Sequence, residues 1–474
     1  MENQQEGAVR REGSASRRRV LIASVAGCVV LGGVLVLLPR ERSAEPARPS
    51  PGALAMEAVG SGVPAALPGL TELIEERREA VRTRPRDATS WAVLGAAYVE
   101  RGRRLADPAS YPRAEKALRT SLSVRPRRNT RALEGLAALS NARRDFPAAR
   151  RWGEAALRLE PRRWTTYPLL IDAYTGLGEY KAAKRTLDRL ARLRSGPAVL
   201  ARAAAVYRDR GWREDAAASL ADAAAGARAP IERAAYLERA GQLAFEHGDL
   251  DVALRHFREA VRLDPDQFAT RAGQGRALAA LGRTTEALDA YRAALAGQPC
   301  PQYALELGEL YESLGMPEAA RERYGLLRER VRRAAAGGAD EELVLGRFEA
   351  DHGDPKAAVR RLRAEWKRQP GTEVADALGW ALYRAGEPQE ALRFALTATD
   401  TERGGGMLDA ASMYHRGMIE QELNRHGAAR RHLREALRIN PHFSPLHAPA
   451  ARAATEALGE PPDEGVPEMD GGAG

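Results

Sequence analysis

Residues 237–265 read LERAGQLAFEHGDLDVALRHFREAVRLDP. Leu237, Ala240, Gly241 and Ala244 return at three- and four-residue steps, which is one apolar face of a helix. Gly248-Asp249 interrupts it, and Ala253, Phe257, Ala260, Val261 and Leu263 then form a second stripe that stops at Asp264-Pro265. The glycine suits the left-handed backbone of a helix end. The proline lacks an amide hydrogen and cannot continue the second helix. The stretch is therefore a helical hairpin. Gly241 and Ala253 are small where the two helices must cross closely, and Phe257 is large where a gap must be filled.

The hairpin recurs. A glycine is followed five residues later by an alanine at Gly178/Ala183, Gly211/Ala216, Gly248/Ala253, Gly282/Ala287, Gly315/Ala320, Gly353/Ala358 and Gly386/Ala391, with 33, 37, 34, 33, 38 and 33 residues between the glycines. A second glycine stands seven residues upstream in the last five (Gly241, Gly275, Gly308, Gly346, Gly379), and the stop proline recurs at 126, 161, 299, 370 and 441. A period near 34 that returns small residues to the same places predicts an all-α solenoid of stacked hairpins. Gly248, Ala253, Gly282, Ala287, Gly315, Ala320, Gly386 and Ala391 are the positions expected to set the turns and crossings.

Trp91, Leu94, Gly95 and Tyr98, followed by Ala114, Leu118, Ser121 and Pro126, resemble the tetratricopeptide repeat, and the resemblance runs over about 70–441. It is closest to membrane-anchored bacterial members. The family implies a right-handed superhelix whose first helices line a peptide-binding groove. About ten units are expected, starting near Ala88, Thr130, Trp164, Pro197, Ala234, Phe268, Pro301, Ala339, Thr372 and Ala410, over 70–458 with a lone capping helix at each end. Ala137, Ile171 and Asn424 depart from the glycine columns. The clamp that some members use for acidic chaperone tails does not carry over, because its places hold Ala, Thr, Pro or Asp here.

Residues 20–38 are nineteen residues without a charge, long enough as a helix to cross a bilayer. Arg17, Arg18 and Arg19 precede them, so the expectation is a transmembrane helix with residues 1–19 cytoplasmic and the solenoid outside. Val25-Ala26-Gly27-Cys28 also resembles a lipobox, and a cleaved signal is a further alternative. Residues 39–69, rich in Pro and Ala, are expected to be an extended spacer, and 459–474 an acidic disordered tail.

The chain has 474 residues and a net charge of +9; only five of its 73 basic residues are Lys, a bias that weakens any nucleic-acid reading of its pI. Its two cysteines, Cys28 and Cys300, are not expected to pair. Five of the eight histidines lie between His415 and His447, at gaps that place no pair at a zinc-ligand spacing, so they are expected to be scattered surface residues. There is no metalloprotease, nucleophile-elbow or phosphate-loop motif. No catalytic residue, cofactor or metal is expected, and oligomeric state is not legible.

Two surfaces stand out. Asp376, Trp380 and Tyr383 recur at helical spacing and should face the same concavity as Tyr414 and Met418, giving an aromatic anchor for a protein partner. Residues 125–213 hold 21 basic and 8 acidic side chains. Arg151, Arg158, Arg185, Arg189 and Arg192 there would suit an acidic polymer or an anionic lipid surface, or be no more than a solvated face. The first reading is a non-catalytic membrane-tethered adaptor that grips a peptide or helix of another envelope protein; the alternative is an anchored receptor for an acidic polymer or lipid surface.

Overall fold

The structure, a computed structural model, describes residues 49–400 and 409–460. Among these, 23 helices and no strands occur. Ten successive helix pairs run from Ala88–Leu105 with Ser110–Val124 to Ala410–Glu422 with His426–Ile439. Leu67–Thr83 stands ahead of them and His447–Leu458 behind. First helices start at Ala88, Thr130, Thr166, Pro197, Pro230, Phe268, Pro301, Glu342, Thr372 and Ala410. Three starts differ from the sequence reading: Thr166 for Trp164, Pro230 for Ala234 and Glu342 for Ala339. Pro230 occupies a first-turn position, where a missing amide hydrogen costs nothing, so that helix begins earlier than its apolar stripe.

The repeat columns carry the packing. Gly248, Gly282, Gly315 and Gly386 sit at φ between +70° and +83°, and Ala253, Ala287, Ala320 and Ala391 are buried. Asn424 takes the same left-handed turn at φ 58°, which its short polar side chain tolerates. Gly353 departs, with φ −138°. At the crossing in the seventh unit a Cβ on Gly308 would lie 2.3 Å from the Tyr324 ring, so only glycine fits. Phe257, Tyr291 and Tyr324 fill the interhelical gaps, all buried.

Two expectations need correction. Residues 39–69 are not an extended spacer throughout, because Pro51–Ser61 is a helix whose Ser50 side chain caps it by accepting from the Ala53 amide. It packs on Leu67–Thr83 through small residues, with Gly52 and Ala55 buried. The histidines are not all surface residues: His426 and His442 are exposed, but His415 is buried and His447 lies in ring contact with both Trp380 and Tyr414. The transmembrane segment expected at 20–38 and the tail at 461–474 lie outside the described residues, as does Cys28. None of the described helices is long and apolar enough to cross a membrane.

One feature was absent from the sequence reading. Successive turns of the superhelix touch. The turn of the second unit places the Arg143 guanidinium on the Gly337 carbonyl at 3.1 Å, while the Asp340 amide donates to the Arg143 carbonyl at 2.9 Å. In the third unit Tyr180 Oη lies 2.8 Å from Thr372 Oγ1 and accepts from the Thr372 amide at 3.1 Å. The Asn440 side chain donates to the Phe245 carbonyl at 2.7 Å. These turns of the second, third and fifth units thus rest on junctions five units further on. Two glycines meet the seam closely: a Cβ on Gly178, at φ +71°, would lie 2.4 Å from the Pro370 carbonyl oxygen, and one on Gly337 would lie 2.4 Å from that of Pro108.

Candidate functional site: the inner wall and its cleft

The residue after the crossing glycine of each first helix is Gln242, Arg276, Glu309, Arg347, Trp380 and Met418 in the fifth to tenth units. With their neighbours these residues form a polar ladder that ties each unit to the next. Arg208 grips Glu246 through two bonds of 2.6 and 2.7 Å. Arg276 hydrogen-bonds the Gln242 side chain and reaches Glu306 at 2.8 Å. Glu309 lies 3.5 Å from His352, and Arg347 lies 3.8 Å from Glu373. Earlier rungs are Arg163 on Glu134 at 2.8 Å and Arg202 on Asp172. Arginine suits these rungs because its planar fork can hold a carboxylate with two bonds.

At the rear the ladder becomes aromatic. Trp380 is 4% exposed; it donates its indole hydrogen to Asp351 at 2.9 Å and stacks on His415 at 4.3 Å. Asp376 holds His415 Nδ1 at 3.0 Å. Tyr414 is buried and stacks on His447 at 5.1 Å. The expected concavity therefore does bring Asp376, Trp380, Tyr383 and Tyr414 together, but Asp376, Trp380 and Tyr414 as packing between units. This corrects the reading of Trp380 as an exposed anchor: the next unit brings His415 and Tyr414 onto its ring. Tyr383 and Met418 remain half-buried.

The cluster sets its own charges. Burial pulls the His415 imidazole down, but the Asp376 charge and hydrogen bond outweigh that, leaving it above its ordinary value. Burial raises the Asp376 carboxyl, and His415 more than offsets it, so it lies below. His352 is likewise raised, with Glu309 and Glu312 overcoming burial. His447, half-buried beside His415 and Arg384, drops to about 4, chiefly through desolvation.

Between the fifth to seventh units and the segment 442–452 the inner wall opens into a cavity of about 430 Å³. Phe245, Leu310, Leu314 and Phe443 give it an apolar wall, and Glu309, Gln302 and Ser313 a polar floor. The Glu309 carboxyl is raised chiefly by burial and has His352 as its neighbour. A raised carboxylate on an apolar wall favours an occupant that brings a donor or a cation. Sequence reasoning missed this cleft, although the column of residues after the crossing glycines pointed into the lumen. No group of His, Cys, Asp and Glu suited to a metal occurs among the described residues.

On the other face, Arg151, Arg158, Arg185, Arg189 and Arg192 are all exposed, on the second helices Phe146–Leu159 and Tyr180–Leu193.

Tetratricopeptide-repeat family models match residues 238–303, 272–330 and 410–443. The matched stretches are tetratricopeptide repeats, and they lie within the run of ten helix pairs. Such repeats generally serve as non-catalytic scaffolds for protein partners. No curated protein matches the chain. Among solved structures it is similar to a tetratricopeptide repeat protein from Parabacteroides merdae ATCC 43184, at 17% identity over 55% of this chain and 98% of that one, with a TM-score of 0.32. It is also similar to the human IFIT1 dimer with m7Gppp-AAAA, at 16% identity, 69% and 76% coverage and a TM-score of 0.46. Yeast Tom70 matches at 14% identity, 77% and 96% coverage and a TM-score of 0.32.

Proposed function

We propose that the chain is a membrane-tethered scaffold that takes an extended segment of another envelope protein into the cleft of its inner wall. Residues 20–38 are the tether, and the solenoid stands on the extracytoplasmic side. The observation that supports the reading is the cleft itself, where Arg276 and Glu306 are already paired and Glu309 has only His352 at 3.5 Å. Its apolar wall of Phe245, Leu310 and Phe443 suits an apolar side chain. Glu309 beneath suits a backbone amide or a basic head group. Binding is by shape and a few polar contacts, with no bond made or broken.

The test is photo-crosslinking in intact cells from position 313 in the cleft and from position 431 on an outer face. One partner captured at 313 and not at 431 is expected. Ala280→Trp, which fills the cleft and leaves the ladder untouched, should abolish that capture. Capture that survives the filled cleft would reject the reading.

A further inference from the structure

The helix Tyr180–Leu193 carries Lys181, Arg185, Arg189 and Arg192 at steps of four, four and three, which is one line along its outer side. All four are exposed, and none of them is in an ion pair among the described residues. The helix has a single acid, Asp188, and Lys184 holds it at 2.6 Å. Arg151 and Arg158 on Phe146–Leu159, the second helix of the preceding unit, are likewise exposed and unpaired among the described residues. Later second helices are built otherwise. Arg262 sits on Glu259 at 2.8 Å, Arg292 on Asp289 at 3.1 Å, Arg321 on Glu318 at 2.6 Å and Arg438 on Glu435 at 2.6 Å. Like charges four residues apart repel. The stripe therefore weakens its own helix unless an external anion lies over it. The helix Pro355–Arg368 repeats the spacing with Lys356, Arg360, Arg363 and Lys367, but there Arg360 reaches Asp354 at 3.6 Å and Arg363 reaches Glu390 at 2.6 Å.

We infer that the outer face of the second and third units docks on an anionic lipid surface. At the edge of this face Leu159 is 44% exposed beside Arg158, and the Arg194 guanidinium lies 5.0 Å from the centre of the Trp164 ring. Arginines bracketing apolar and aromatic side chains suit the bilayer interface, where guanidiniums meet headgroup phosphates and the ring rests at headgroup level. A polyanion strand would engage the cations and leave Leu159 in water. A tether at residues 20–38 would by itself hold the chain at a bilayer. The docking does not require that anchor, and the experiment separates the two.

The full chain is labelled with an environment-sensitive dye through Ala191→Cys in a Cys28→Ser, Cys300→Ser background. It is mixed with vesicles of neutral phosphatidylcholine, or of phosphatidylcholine with phosphatidylglycerol, each carrying a lipid-borne quencher. Flotation with neutral vesicles reports the anchor. Quenching of the dye reports the face. Quenching is expected only with phosphatidylglycerol, and should be lost as salt rises from about 50 mM to about 500 mM. Lys181→Glu, Arg185→Glu, Arg189→Glu and Arg192→Glu together should lower it at least about tenfold. The four Gln replacements, which perturb the helix less, should lower it in the same direction. Four Glu replacements at Arg255, Arg262, Arg431 and Arg438 should leave it unchanged. Equal quenching by neutral vesicles, or quenching that survives both sets of stripe replacements, would overturn the inference. So would tight binding of a heparin fragment to the stripe with no response to phosphatidylglycerol, which would assign an acidic polymer instead.

Discussion

The inner wall and the outer face of the second and third units are both rich in arginine, and they treat it in opposite ways. On the wall, Arg163, Arg202, Arg208 and Arg276 each hold an acid. On the outer face Arg151, Arg158, Arg185, Arg189 and Arg192 hold none among the described residues. The lesson is that net charge does not distinguish the two surfaces; the fraction of that charge left unpaired does. Asp376, Trp380 and Tyr414, which attract attention in the sequence, are spent on packing, whereas the plain stripe at 181–192 is in no ion pair among the described residues.

The sharpest way to break the contrast is to remove one rung. Arg276→Ala leaves Glu306 without its main partner in a largely covered position, and should cost on the order of 3 kcal/mol of stability by chemical denaturation. A loss no larger than that of Arg185→Ala would put the two surfaces on the same footing. Smaller, and located at the seam, Tyr180→Phe removes two hydrogen bonds to Thr372 and should cost about 1 kcal/mol, with hydrogen exchange rising at both 180 and 372 although they are 192 residues apart. Local exchange at 180 alone would mean that the turns do not support each other.

Acid provides a third probe of the wall. His447 titrates at about 4 in the folded chain and 6.5 unfolded, so its contribution is present above pH 6.5 and is lost as pH falls towards 4. His415 and His352 are raised, so theirs is complete below pH 6.5 and is lost as pH rises through their folded values. His447→Gln should flatten the acid limb of a stability–pH curve and His415→Gln the opposite limb. The smallest effect belongs to the outer face. Arg189→Glu converts two like-charge neighbours into attractive ones and should raise the melting temperature slightly, by an amount equivalent to ~0.5 kcal/mol. A destabilisation there would reveal a partner for Arg189 within the chain.

Hairpins, turns and crossings were legible because each is written in small residues at a fixed spacing: Gly308 under Tyr324 is a local fact. The helix Pro51–Ser61 was not legible because its buried face is Gly52 and Ala55, with no bulky stripe, and its stability comes from the helix beside it. The setting of Trp380 was half legible. Its spacing from Asp376 predicted the shared face, but its exposure depended on how the tenth unit rotates onto the ninth, which no local pattern encodes. The same holds for the ladder, whose partners lie one repeat apart, and for the cleft, which needs 442–452 to close it.

The seam between superhelical turns constrains how the gene can change. An array whose units touch only their neighbours can gain or lose one without penalty to the others. Here Arg143, Tyr180 and Phe245 each meet a partner at a fixed offset along the chain. Duplicating or deleting a single repeat between them would throw every later partnership out of step at once, so the number of repeats is locked by geometry.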